Sequence, residues 1–269
     1  MHTFFQGRFF GLFGLFGLVG LTFGLLLSGC SQSDTPSPST SHSTTSDAPL
    51  PAVPNFAAIP DGEARKKAFF DFMAPLVHRA NAEVLTQRQR LQNLMQQATR
   101  QPNDQAWLKT LAARYGLKPF NPESTADRKA LLQRIDKVPT ALALAQSANE
   151  SAWGTSRFAR EGHNYFGQWC YTPGCGLVPS QRAQGEIQEV KRFKHPYDSV
   201  VSYIHNLNTH NTYAKLRDIR AQARADGQSL TGLEMANGLV NYSARKEEYV
   251  KALQSMIRYN KLTQFNENH

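Results

Sequence analysis

The sequence predicts a mostly helical α+β domain that carries one small β-lobe. Three observations lead there. Apolar residues recur at helical spacing from about residue 61 to residue 153, and again beyond Tyr197. Between Gly162 and Phe193 that period is lost, and Gly and Pro become frequent. Inside this stretch, 166–169 and 187–193 are β-prone runs suited to a small hairpin.

The chain has 269 residues and 41% hydrophobic content, enough for a sizeable core, but its start does not belong to one. Residues 1–30 hold no acidic residue and a single Arg, Arg8, ahead of an apolar run over 9–27. A basic start, an apolar centre and small residues before a cleavage point form a secretory signal. The ending Leu27-Ser28-Gly29-Cys30 resembles the lipobox of bacterial lipoproteins. That resemblance implies a signal peptide over 1–29 and a lipid on Cys30, the membrane anchor. With Ser31 next, it also implies a periplasm-facing place on the outer membrane. An uncleaved anchor is the alternative, because the run is nearly long enough to span a bilayer. Residues 30–58 read as a disordered Ser/Thr/Pro-rich linker.

With Cys30 lipidated, an even pair of cysteines remains. Cys170 and Cys175 enclose a Pro173-Gly174 turn, which in an oxidising compartment reads as a small disulfide loop. A zinc site needs further ligands nearby. His205 and His210 are five apart and do not share a helix face. No metal and no cofactor is expected. The formal charge is +9, and losing Arg8 with the signal lowers it by one. Export and the lack of a nucleic-acid motif argue against nucleic acid as the partner of this positive charge. The anionic cell envelope is the simpler partner.

The first helix is expected over 61–98, capped by Asp61 and interrupted at Pro75. Phe69, Phe70, Met73, Leu76, Val77, Ala80, Val84, Leu91 and Leu94 form its stripe. Further helices are expected over 104–115, stopped by Gly116, then over 126–135, and over 139–153, stopped by Gly154. Beyond the lobe, Asp198 or Ser199 caps a stripe of Val200, Ile204 and Leu207. The rest are 213–224, a helix opened by the capping box of Thr231 with Glu234, and 246–259. On this reading 59–136 is a helical N-terminal part and 137–265 the catalytic domain.

Glu150 is out of place. It sits in the last turn of the 139–153 helix, where the dipole disfavours an acid. It lies off the apolar stripe of Ala141, Leu144, Ala145 and Ala148, on a small-residue face with Ala143 and Ser147. The negative helix end and a neighbouring aromatic ring such as Trp153 both favour a carboxyl that keeps its proton, as a general acid must. Glycoside cleavage is the reaction that most often needs such a group, because the leaving sugar oxygen has to be protonated.

Ala145-Gln-Ser-Ala-Asn-Glu150-Ser-Ala-Trp-Gly154, followed by Asn164-Tyr-Phe-Gly167, resembles the signature of bacterial glucosaminidases of glycoside hydrolase family 73. With "NYFGQWCYTPGCGLVP", "NLNTH" and "GLVNYSARKEEYV", the likeness is closest to the Bax-like branch and covers about 60–260. The resemblance implies a lysozyme-like fold and a peptidoglycan glycan strand as substrate. It implies hydrolysis of the β-1,4 bond between N-acetylglucosamine and N-acetylmuramic acid. Glu150 matches the catalytic acid. Asn164, Phe166 and Gly167 match the motif lining the cleft, with Trp153 and Trp169 expected beside them as substrate-binding residues. Tyr213 matches a cleft-facing tyrosine and is expected to assist catalysis. Core packing is the competing role for Phe166 and Tyr213.

The family places a second acidic residue on the β-lobe, where this sequence offers Glu186 and Glu189. If 187–193 is a strand, Ile187, Glu189, Lys191 and Phe193 share a face. Ile187 and Phe193 would turn that face toward the cleft, so Glu189 is expected as the catalytic second carboxylate. A substrate-assisted path through the sugar's acetamido group needs neither. The alternative functions are a lytic transglycosylase and a non-catalytic peptidoglycan-binding lipoprotein. The domain is expected to be a monomer.

Overall fold

The computed structural model describes residues 49–266, apart from 181 and 184. The signal peptide, Cys30 and the linker up to residue 48 lie outside the described residues. The end of the expected linker does not behave as one. Phe56 is 2% exposed in a short 3₁₀ turn, and its ring packs on Phe69 and Phe72 of the first helix. The Ser/Thr/Pro-rich composition stops before Leu50, and the apolar residues after it find the core.

Helix α1 (Glu63–Met95) is the spine. It runs unbroken through Pro75, which lies on the exposed side. There the lost N–H bond and the ring clash fall toward solvent and not into the core. Asp61 binds the Gly62 N–H at 2.9 Å, while the cap position itself is Gly62 with φ 97°. The N-terminal half of α1 packs with Phe69, Met73 and Val77 into the main core. Its far end, with Leu91 and Leu94, joins α2 (Pro102–Arg114) and α3 (Thr125–Arg134) in a smaller second core. One helix therefore serves both sides of the boundary read at residue 136.

Helix α4 (Thr140–Ser151) runs through the main core, with ten of its twelve residues buried. It ends earlier than expected. Ala152, Trp153 and Gly154 follow with φ of 48°, 58° and 77°, so the stop is a run of three left-handed residues. Ser151 stitches this turn. Its Oγ donates to the Ser147 carbonyl at 2.6 Å and accepts from the Gly154 N–H at 2.9 Å. A Cβ on Gly154 would sit 2.4 Å from the Phe56 ring, so glycine is required for space as well as for φ.

The lobe begins with α5 (Arg157–Gly162), a short helix the sequence reading missed, capped by the Ser156 side chain. Instead of a hairpin it forms a three-stranded antiparallel sheet in the order β1-β3-β2. The strands are β1 (Trp169–Cys170), β2 (Gly176–Leu177) and β3 (Glu189–Lys191). Trp169 pairs with Val190 and Cys170 with Glu189. A Cβ on Gly176 would meet the Val190 carbonyl oxygen at 2.0 Å, so glycine is what allows β2 to close on β3.

Helix α6 (Pro196–Thr209) is capped by His195 in a box with Asp198, not by Asp198 or Ser199. Ser199 is buried and accepts from the Tyr165 N–H at 3.1 Å. Helices α7 (Ala214–Ala225), α8 (Gly232–Met235) and α9 (Glu247–Tyr259) complete the domain. Arg217, Arg220 and Arg224 fall on one face of α7 at i, i+3 and i+7. Arg220, 1% exposed, donates to the carbonyls of Gln133, Arg134, Asp136 and Lys137 and to the Asn208 side chain. This is the mostly helical α+β arrangement of a lysozyme-like domain. Among the described residues, no helix is long and apolar enough to cross a membrane.

Candidate active site

The last turn of α4 delivers Glu150 to a cleft of about 490 Å³. One wall is the lobe, through Gly167, Gln168, Trp169, Tyr171 and Lys191. The other is α6 and the turn after it, with Asn206, His210 and Tyr213, closed by Tyr242. Among the described lining residues Glu150 is the one carboxylate.

A chain of neutral groups holds Glu150. Tyr203 Oη donates to Gln146 Oε1 at 2.6 Å, and Gln146 Nε2 donates to Tyr249 Oη at 3.0 Å. Tyr249 Oη in turn donates to Glu150 Oε1 at 2.8 Å. Asn149 Nδ2 adds a second donor to the same oxygen at 3.1 Å. Burial, reinforced by the Glu150 charge, drives the Tyr249 and Tyr203 hydroxyls far above the ordinary tyrosine range. Both therefore remain protonated donors. The rings are stacked in pairs: Tyr242 on Tyr249 with centroids 5.5 Å apart, and Phe166 on Tyr203 at 4.0 Å. Burial lowers the His205 ring below the usual histidine range, with the Arg114 charge acting in the same direction. It adds no positive charge at neutral pH.

The Asn164-Tyr-Phe-Gly167 turn is built around Asn164, which is 2% exposed. Its side-chain oxygen accepts from the Phe166 and Gln168 N–H groups, and its nitrogen donates to the Gln168 and Lys191 carbonyls. This ties the turn to β3. Gly167, at φ 65°, then lies against the carboxylate: a Cβ there would be 3.5 Å from Glu150 Oε2. Tyr242 Oη anchors the turn from the other side by donating to the Phe166 carbonyl at 2.8 Å.

A family model described as Glucosaminidase, mannosyl-glycoprotein endo-beta-N-acetylglucosaminidase, matches residues 126–262. The chain is also 33% identical over 209 residues to "Protein bax" of Escherichia coli (strain K12), covering 78% of this chain and 74% of that protein. The chain belongs to the glucosaminidase family. No solved structure matches it. Membership makes the protein a glycoside hydrolase, with peptidoglycan as its substrate class.

The glucosaminidase cleft gathers some of the sequence-predicted residues and not others. Glu150, Phe166, Gly167, Trp169 and Tyr213 line it. Asn164 braces it from behind. Trp153 points away: the left-handed turn sends its ring onto Phe69 and Phe70 of α1, at 5.8 and 5.3 Å. It is therefore not the aromatic neighbour of Glu150; the tyrosines are.

Glu189 is 6% exposed, yet it does not line the cleft. Its two carboxylate oxygens accept from the Gly174 N–H at 3.0 Å and the Gly176 N–H at 2.8 Å. Those bonds hold its carboxyl below the ordinary carboxylate range. The expected face is also cut short, because β3 begins at Glu189 and leaves Ile187 55% exposed outside it. Glu186 is exposed and accepts from Gln188.

Cys170 and Cys175 are joined as a disulfide. Glu189 converges with both sulfurs, but a disulfide leaves no thiolate for a metal. Gln146, Tyr203, Tyr242 and Tyr249 were not singled out from sequence. The available signal was Gln146, one helical turn before Glu150 on the same face of an otherwise small and apolar helix.

Proposed function

We propose that this protein is an endo-β-N-acetylglucosaminidase. It cuts the β-1,4 bond between N-acetylglucosamine and N-acetylmuramic acid, with Glu150 as the general acid. The observation that carries this is the asymmetric hold on Glu150. Oε1 accepts from Tyr249 and Asn149, while Oε2 lies on the Gly167 side, which lines the cleft. A carboxyl fixed by one oxygen presents the other to the leaving sugar oxygen.

Glu150 being the one carboxylate among the described lining residues, the second half of the reaction is assigned to the substrate. Glu150 gives its proton to the glycosidic oxygen as the C1–O bond breaks. The 2-acetamido oxygen of the same N-acetylglucosamine bonds to C1, forming a cyclic oxazolinium. Water then attacks C1, losing its proton to the Glu150 carboxylate, and the ring reopens to the reducing sugar. Glu189, with both oxygens occupied, has no part in this path. Tyr213, which borders the cleft beside Tyr242 with ring centroids 5.8 Å apart, is assigned to holding the acetamido-bearing sugar. The resemblance of Leu27-Ser28-Gly29-Cys30 to a lipobox supports a lipid anchor on Cys30 and a periplasm-facing place on the outer membrane, and the domain is proposed to act there as a monomer.

Digestion of purified peptidoglycan followed by mass spectrometry tests the reading. New reducing-end N-acetylglucosamine is the expected product. A 1,6-anhydro end would make the protein a lytic transglycosylase, and binding without any product would make it a scaffold. Metabolic labelling with a fatty-acid probe, retained by the wild type and lost in Cys30→Ala, checks the anchor.

A further inference from the structure

The lobe exposes two aromatic side chains inside the cleft. Most large aromatic side chains of the domain are buried, yet Trp169 is 48% exposed and Tyr171 68%. Both line the cleft. They stand two residues apart, so on an extended chain they project to the same face. The residue between them is Cys170, half of the disulfide.

That loop is tied more heavily than six residues need. The disulfide joins Cys170 to Cys175. Glu189, the pairing partner of Cys170 on β3, clamps the Gly174 and Gly176 N–H groups from inside. The Arg192 N–H donates to the Cys175 carbonyl at 3.2 Å. None of these groups lines the cleft. What they immobilise is the short segment that carries Trp169 and Tyr171.

We propose that Trp169 and Tyr171 form a stacking platform for glycan residues beyond the scissile bond, held in place by the Cys170–Cys175 disulfide and the Glu189 carboxylate. The apolar face of a pyranose ring packs on an aromatic ring, and a platform fixed in advance spends no ordering entropy when the strand arrives. Tyr171 is then a binding residue, and Glu189 a positioning residue. The proposal rests on the glycan-cleaving reading of the cleft, and it is tested by binding, which does not require cleavage.

The experiment measures binding of the full chain to purified peptidoglycan in a Glu150→Gln background, and KM and kcat in the active background. Tyr171→Ala and Trp169→Ala are each expected to weaken binding and raise KM roughly tenfold, the scale of one lost aromatic anchor, with kcat little changed. Tyr171→Phe keeps the ring and should bind as the parent does. Glu189→Gln and mild reduction of the native disulfide should raise KM several-fold in the same direction, with the helical circular dichroism unchanged. Tyr259→Ala, an exposed tyrosine outside the cleft, should bind normally. Unchanged binding in Tyr171→Ala, or a loss confined to kcat, overturns the platform. KM unmoved by both reduction and Glu189→Gln overturns the role of the tether. Peptidoglycan binding that depends on Tyr171 in a protein that cleaves nothing would keep the platform and refute the hydrolase.

Discussion

Asp136 and Glu150 are both carboxylates held by hydrogen-bonding partners, but the partners differ in kind. Asp136 is 2% exposed and meets cations: Arg224 bidentately at 3.0 and 2.8 Å, Arg88 at 3.4 Å, with Arg220 on the adjoining backbone. Burial pushes its carboxyl up, but the Arg224 hydrogen bonds and the Arg220 and Arg88 charges outweigh that and hold it below the ordinary value. Burial also pulls the Arg220 guanidinium down to about 10, against the pull of Asp136, which still leaves it charged at neutral pH. Glu150 meets the Tyr249 hydroxyl and the Asn149 amide instead, neither of which is charged. A carboxylate neutralised by arginines is locked into one protonation state, which suits a seam that ties α1 to α7. Glu150, with no cation among its hydrogen-bond partners, has its second oxygen on the cleft side.

The contrast breaks most visibly at the seam. Asp136→Asn removes the buried anion from a cluster in which Arg220 is buried, Arg88 partly buried and Arg224 exposed. It should cost about 3–5 kcal/mol, as loss of one partner of a buried ion pair does. Urea denaturation should show the fall, with the cleft tyrosines unaltered in any variant that still folds.

Gly154→Ala tests the turn that ends α4. It adds a Cβ at φ 77° against the Phe56 ring. A loss of roughly 1–3 kcal/mol is expected by thermal unfolding.

On the other side of the comparison, Tyr249→Phe deletes one neutral donor to Glu150. It should lower kcat on peptidoglycan about tenfold, near the worth of one hydrogen bond to a charged group, while stability changes less than in Asp136→Asn.

The smallest effect is on the acid limb. A carboxyl whose folded pKa is depressed contributes its stability in full above the unfolded value of about 4, and loses it as pH falls through the folded value. Wild-type stability should therefore drop below about pH 4. The drop should be shallower in Asp136→Asn, as followed by the urea midpoint at each pH.

Much of the fold was legible because it rests on period. Phe69, Met73 and Val77 announce α1, and Thr231 with Glu234 announces α8, from spacing alone. Pro75 misled because the rule against proline concerns the backbone, while its cost depends on which side of the helix faces solvent. Glu150 stands out in the sequence because an acid at a helix C-terminus contradicts local electrostatics, and it lines the cleft. Trp153 was misplaced because three consecutive left-handed residues reverse its direction, and only Gly154 hints at such a turn. Tyr249 lies 99 residues from Glu150, a separation at which no local pattern operates. Glu189 is buried, but toward the Gly174 and Gly176 amides and not toward the cleft, two directions that strand alternation does not distinguish.

The central claim is that Glu150 transfers the proton. The most direct measurement is turnover of purified peptidoglycan by Glu150→Gln, with folding checked by circular dichroism and binding to the same substrate measured alongside. The exchange keeps shape and hydrogen-bonding reach but removes the acidic proton. Retained binding and a loss of turnover of at least about 10²–10⁴-fold, the worth of general acid catalysis, are expected. Turnover close to that of the wild type would contradict the claim.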